Sequence, residues 1–163
     1  MSQTGIGSQI IVLVVAFFSW LFSHLTPHPT HSSNPGVLGL CGAIPAAATG
    51  LSDKNVTKLK IEDLRVGSGA QAIAGKTVVM NYYGRLVNGT KFDTSCDRGE
   101  TFEFDLGSGQ VIAGFDQGIV GMKVGGIRCI IIPASLGYGA AGAGGVIPPN
   151  AALVFDVELI GIK

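Results

Sequence analysis

Few side chains in this 163-residue chain are of the kinds that make and break bonds, and their placement narrows the chemistry quickly. His24, His28 and His31 all precede Asp53, the first charged residue, so no histidine is available to act as a general base in the charged half. Cys41, Cys96 and Cys129 form an odd set without CxxC or metal-ligand spacing. Cys129 lies in the strand-like run Ile127 to Ile132 and reads as a small buried hydrophobe; Cys96 reads as a loop residue, and a disulfide is not expected. Gly137-Tyr138-Gly139-Ala140-Ala141-Gly142 spells GxGxxG, yet a dinucleotide site needs a helix to start there. Ala143-Gly144-Gly145 and Pro148-Pro149 follow instead, and they cannot make that helix. Asp93 and Arg98, five apart in a loop, would by themselves be a solvated pair contributing about 0–1 kcal/mol. What remains is aromatic. Phe102, Phe104, Phe115 and Phe155 sit at strand or helix spacing, which alone would make them core.

The elements that must position these residues follow from periodicity. Pro148-Pro149 fixes an extended apolar loop, after which Leu153, Phe155, Val157 and Leu159 alternate with Val154, Asp156, Glu158 and Ile160 as in a strand. Leu59 and Ile61 alternate with Lys58, Lys60 and Glu62. Thr77 to Leu86 is a second β-rich run, with Val78, Met80, Tyr82 and Gly84 on one parity. Asn88-Gly89 then signals a hairpin with a type I′ turn, and Lys91 to Ser95 makes the return strand. Phe102, Phe104 and Leu106 alternate with Glu103 and Asp105. Only Ile112, Phe115, Ile119 and Met122 switch to spacings of three and four, predicting one amphipathic helix of about three turns. Its glycines, Gly114, Gly118 and Gly121, suggest close approach by a neighbour; Gly125-Gly126 ends it. The result is an α+β domain, a five- to six-stranded antiparallel sheet wrapped on one short helix.

From about Leu59 to Lys163 the blocks Tyr82-Tyr83-Gly84, Gly89-Thr90-Lys91-Phe92-Asp93, Phe102-Glu103-Phe104, Gly109 to Phe115, Gly137-Tyr138-Gly139 and Ile147-Pro148-Pro149 occur in one order. In that order and spacing the chain resembles the FKBP-type peptidyl-prolyl cis/trans isomerases, including single-domain members that carry an N-terminal leader. The resemblance implies a catalytic set of Tyr82, Phe92, Asp93, Phe115, Tyr138 and Phe155, with Arg98, Phe102, Val111, Ile112 and Ile147 binding substrate. No metal or cofactor is called for. Three positions depart from the family pattern: the pocket floor, commonly Trp, is Phe115; a loop position that is often His is Ala143; an aromatic position is Leu136. Phe115 keeps an aromatic base but loses an indole N–H and some area.

The implied chemistry needs no nucleophile. Amide resonance sets a rotation barrier of about 18–20 kcal/mol, while cis and trans differ before proline by only about 0.5–1 kcal/mol. A twisted amide is less polar than the planar one, so a dry aromatic pocket favours it. The resemblance further implies that Tyr138 O–H and the Ile112 N–H hold substrate carbonyls, and that Asp93 fixes Tyr82 and Arg98 rather than transferring a proton. The expected partners are proline-containing polypeptides, with a macrolide immunosuppressant as a further ligand; the expected state is a monomer. The alternatives are a non-catalytic proline-binding or scaffold module using the same pocket, and a holdase, for which no extended apolar flap is present in the sequence.

Residues 1 to 52 contain no Lys, Arg, Asp or Glu, so all eleven basic and all eleven acidic residues lie from Asp53 onward. The balanced charge carries no basic stripe, which excludes a nucleic-acid partner. Nothing repeats. Ile10 to Phe22 is an apolar run with one polar position, shorter than the roughly 20 residues of a bilayer crossing. It reads as a signal-type segment or a membrane anchor, although no Lys or Arg precedes it. The expected organisation is a leader or anchor over 1–25, a flexible linker over 26–55 and the isomerase domain over 56–163. The expected location is membrane-anchored or exported, with the domain in a periplasm or thylakoid lumen. Asn55-Val56-Thr57 and Asn88-Gly89-Thr90 are glycosylation sequons that matter only in a glycosylating compartment.

Overall fold

The computed structural model describes residues 39–42 and 51–163. The leader run Ile10 to Phe22 and most of the 26–55 stretch lie outside the described residues, among which no helix is long and apolar enough to cross a membrane. Six antiparallel strands form one sheet: β1 (Lys60–Arg65), β2 (Thr77–Leu86), β3 (Lys91–Thr94), β4 (Phe102–Asp105), β5 (Ile127–Ile132) and β6 (Leu153–Ile162). The order is β1-β5-β6-β2-β3, with β4 also pairing β2. β3 and β4 therefore share one side of β2: Thr94 lies opposite Tyr83 and Phe102 opposite Met80. The residues between them bulge out and contain a 3-10 turn at Cys96–Arg98.

Among the described residues the one α-helix, α1 (Ala113–Ile119), is seven residues long rather than three turns. It stops because Val120 has extended backbone and Gly121 a left-handed one, φ +82°. Arg128 caps the end, donating from Nη1 to the carbonyls of Gly118 (2.9 Å) and Val120 (3.1 Å), while Asp63 accepts from its Nε (2.6 Å). The expected close approach is real. A Cβ on Gly114 would lie 2.3 Å from Ile132 Cγ2, and one on Gly118 would lie 2.7 Å from Ile130 Cγ2. The helix backbone thus rests directly on β5.

The β2–β3 turn also differs from expectation. Among the described residues, Asn150 is the one non-glycine with positive φ, so Asn88 is not in the conformation a type I′ turn requires. Gly89 N–H instead donates to the Leu86 carbonyl (2.9 Å) and only Gly89 is left-handed, φ +90°. That is a three-residue loop, a type I turn closed by a glycine. Asn88 Oδ1 accepts the Thr90 N–H and steadies it (2.9 Å).

The sheet has two unlike faces. Met80, Tyr82, Leu86, Ile130, Ile132, Leu153, Phe155, Val157 and Leu159 form the core against α1, with Phe104, Leu106, Phe115, Ile119 and Met122. On the opposite face Arg85 pairs with Asp156, both nearly inaccessible, and Cys129 lies beside them in the adjacent strand. Residues 39–42 and Asp53 fall in the stretch expected to be linker, yet they are held to the sheet. Leu40 is buried and its N–H donates to Glu158 Oε2 (2.8 Å), while Arg65 Nη2 donates to Glu158 Oε1 (2.8 Å); Asp53 accepts the Ala152 N–H (2.8 Å). Cys41 and Cys96 form a disulfide across 55 residues, contrary to expectation. Spacing could not reveal it, because the pairing is made by the fold.

Candidate active site

The central tyrosine is held first through its backbone. The Tyr82 N–H donates to Ser95 Oγ (2.9 Å), and its carbonyl accepts from Ser95 N–H (3.1 Å) and Thr94 Oγ1 (2.7 Å). Thr94 and Ser95 are both buried, and the sequence reading passed over them. The available signal was two adjacent short hydroxyl side chains at a strand end, residues that bond readily to nearby backbone. On β3 the register slips between Gly84 opposite Asp93 and Arg85 opposite Lys91, leaving Phe92 as the extra residue. A bulge re-aims its side chains, so Phe92 and Asp93 both reach the pocket side. A Cβ on Gly84 would lie 2.8 Å from Phe92 and 2.9 Å from Phe155, so the absent side chain makes room for both rings.

Most of the rings meet edge to face, and Tyr82 is tilted against Phe155. Phe115, from α1, and Phe155, from β6, have centroids 4.9 Å apart and form a buried floor. Tyr82 stands 6.2 Å from each and 5.6 Å from Phe102; Phe92 lies 5.4 Å from Phe155. Phe102 and Phe92 are half-buried and form the rim. Such contacts each contribute about 0.5–1.5 kcal/mol beyond burial. Phe104 extends the cluster into the core, 5.9 Å from Phe115, which assigns it to packing. Val111 packs at the edge of the same core, and Ile112 caps the start of α1, its carbonyl accepting from Phe115 N–H (3.0 Å). Ile147 is buried beneath a small loop in which it and Ala143 exchange two backbone bonds, both 2.9 Å. Tyr138 is half-buried against the core.

One polar cluster borders the rings. The Tyr82 hydroxyl donates to Asp93 Oδ2 and accepts from Arg98 Nη2 (2.7 Å), while Arg98 Nη1 donates to Asp93 Oδ1 (2.8 Å). Asp93 and Arg98 are therefore a partly buried pair, not the solvated pair that spacing alone predicts. Burial first, and then the Asp93 carboxylate, push the Tyr82 phenol far above its usual value, with Arg98 opposing. Burial, and after it the Asp93 carboxylate, also raise Tyr138. Both phenols are neutral donors at ordinary pH. The structure thus gathers Tyr82, Phe92, Asp93, Arg98, Phe102, Phe115 and Phe155 through direct contacts, and sets Val111, Ile112, Tyr138 and Ile147 around the same core.

Known proteins agree with this architecture. A 55% identical relative, the FK506-binding protein of Neisseria meningitidis serogroup A, aligns over 104 residues, 64% of this chain and 95% of its own. FK506-binding protein 2B of Rhizopus delemar is 45% identical over 132 residues, covering 78% of this chain and 63% of that protein. Among solved structures, AtFKBP13 superposes with a TM-score of 0.61 at 41% identity, covering 64% of this chain and 93% of its own. FkpA from Escherichia coli gives the same TM-score at 43% identity over 66% of this chain, which spans 49% of that protein. Residues 69–160 match the FKBP-type peptidyl-prolyl cis-trans isomerase family, and with the sheet, the short helix and the ring-lined site in place, the chain belongs to that family.

Proposed function

We propose that this chain catalyses cis/trans rotation of X-Pro peptide bonds in other polypeptides by holding the prolyl segment against the ring cluster. The observation that carries this reading is the convergence of Tyr82, Phe92, Phe102, Phe115 and Phe155 on one face, bordered by neutral phenols. Such a surface solvates a planar, dipolar amide poorly and a twisted one comparatively well, so it lowers the barrier without driving the equilibrium. The prolyl ring rests on Phe115 and Phe155. Tyr138 O–H and the Ile112 N–H hold substrate carbonyls. Asp93 is a positioning residue: its oxygens are occupied by Tyr82 and Arg98, which favours wall-building over proton transfer. FK506-type macrolides are ligands of the same recess, bound more weakly than by a Trp floor, since Phe115 offers less area.

The test is a protease-free isomerisation assay on short X-Pro peptides. The full chain accelerates exchange, and Phe115→Ala and Asp93→Val each lower kcat/KM. Unchanged activity in both variants would sink the pocket assignment; binding of the peptides without acceleration would favour a proline-binding scaffold. The reading as an exported or membrane-tethered monomer rests on the Ile10 to Phe22 run, and the Cys41–Cys96 disulfide suits an oxidising compartment. N-terminal mass analysis of membrane and soluble fractions decides between anchor and cleaved leader.

A further inference from the structure

The Cys41–Cys96 disulfide covalently joins two turns that lie 55 residues apart in the chain. Cys41 is exposed and belongs to the Leu40–Gly42 turn on the sheet face away from the rings. Cys96 is half-buried and opens the 3-10 turn that carries Arg98. Every residue between Thr94 and Gly99 that bonds to Tyr82 or Asp93 is tied to that turn. Cys96 N–H donates to Thr94 Oγ1 (3.1 Å), which itself donates to the Tyr82 carbonyl (2.7 Å). Arg98 N–H donates to the Ser95 carbonyl (3.1 Å), and Gly99 N–H to the Cys96 carbonyl (3.2 Å). Beyond these, Arg98 fixes Asp93 and the Tyr82 hydroxyl.

We propose that Cys41–Cys96 is a reversible thiol–disulfide exchange site, and that a dithiol reductant acting on it loosens the wall of the proline site. An incoming thiolate bonds to the sulfur of Cys41, the more exposed of the two residues, and the electron pair of the S–S bond leaves on Cys96, which takes up a proton. The second thiol of the reductant then attacks the mixed disulfide and releases Cys41 as a thiol. The protein gains two electrons and two protons, and the dithiol becomes a disulfide. Cys129 does not compete, because it is buried and its thiol is pushed up to about 12 by burial and the neighbouring Asp156. Once the link opens, Leu40 keeps its bond to Glu158 and its burial, while the Cys96–Arg98 turn loses its covalent tie to the sheet's far face.

The effect on catalysis rests on the isomerase reading, so the test reads the link and the activity separately. The full chain is treated with dithiothreitol under native conditions, alkylated, and followed by mass spectrometry, amide hydrogen exchange and peptide isomerisation. The expected result is two added alkyl groups at Cys41 and Cys96, faster exchange across residues 94–99, and kcat/KM lowered about fivefold, the effect of losing one well-placed hydrogen bond. Oxidised glutathione reverses all three. Cys41→Ser shows the reduced values and ignores dithiothreitol. If alkylation appears only under denaturing conditions, the site is not exchangeable and the proposal fails. Free thiols with unchanged exchange at 94–99 overturn the coupling. An oxidised protein with no activity refutes the isomerase reading instead, while the alkylation and hydrogen-exchange results still decide the link.

Discussion

The two faces of this sheet solve opposite problems with the same strands. Facing α1, β2 and β6 contribute Tyr82, Phe155 and Val157, and a glycine at position 84 leaves space between rings. Facing away, the same strands contribute Arg85, Asp156 and Glu158, polar groups buried only because other residues close over them. The first face is specified by side-chain type, since rings pack on rings wherever they meet. The second is specified by partners. An unpaired buried charge is expensive, so each of these groups must find its counterpart or the face cannot close. The proposed activity therefore lies on one side, while on the other the burial of charge depends on pairing.

The sharpest way to break that contrast is Asp156→Ala, which strands the Arg85 guanidinium. It should cost about 3–5 kcal/mol in urea unfolding, while the folded fraction keeps its isomerase kcat/KM. A matched replacement, Arg85→Met with Asp156→Leu, should recover most of that loss. Retained instability in the double variant would show that the pair does more than neutralise itself. Phe115→Ala is the counterpart on the ring face: about 3–5 kcal/mol of stability, together with loss of activity beyond what unfolding explains. Cys41→Ser should lower stability by up to about 4 kcal/mol in the chain-entropy account of a 55-residue crosslink, read as a drop in Tm. Gly84→Ala would press a methyl against Phe92 and Phe155 and should cost about 1–3 kcal/mol, with KM raised more than kcat is lowered.

The smallest effect concerns pH. Tyr82 and Tyr138 have folded-state pKa values raised above the usual value near 10, so the native protein holds their protons where the unfolded chain releases them. Stability is unaffected by these two phenols below pH 10 and should fall as pH rises above it. Phenolate absorbance of the folded protein should lag that of the unfolded chain, and Tyr82→Phe should flatten the alkaline slope. A native titration identical to the unfolded one would contradict the enclosed environment of both phenols.

The ring face was largely legible from sequence, for a physical reason. Phe102 and Phe104 on β4, and Phe155 and Val157 on β6, report strand periodicity directly, and short-range order fixed the succession of blocks. The other face was not. Asp156 and Glu158 alternate with apolar residues as if solvated, yet both are buried, Asp156 against Arg85 and Glu158 under a turn from more than a hundred residues away. The disulfide failed for the same reason. Local errors had local causes: the helix pattern continued through Met122, but Gly121 had already left the helical region, and Asn88-Gly89 has the composition of one turn and the conformation of another. Thr94 and Ser95 look like unremarkable strand-end residues until Tyr82 is seen to depend on them.

The contact of α1 with β5 has an evolutionary consequence. With Gly114 and Gly118 pressed on Ile132 and Ile130, the helix can neither advance toward the sheet nor accept a side chain at either glycine. The depth of the recess is accordingly set by main-chain geometry, and variation in its base is confined to exchanging one flat side chain for another at position 115. Changes of ligand range on this scaffold are thereby left to the margins, where loops can lengthen or shorten without disturbing the helix.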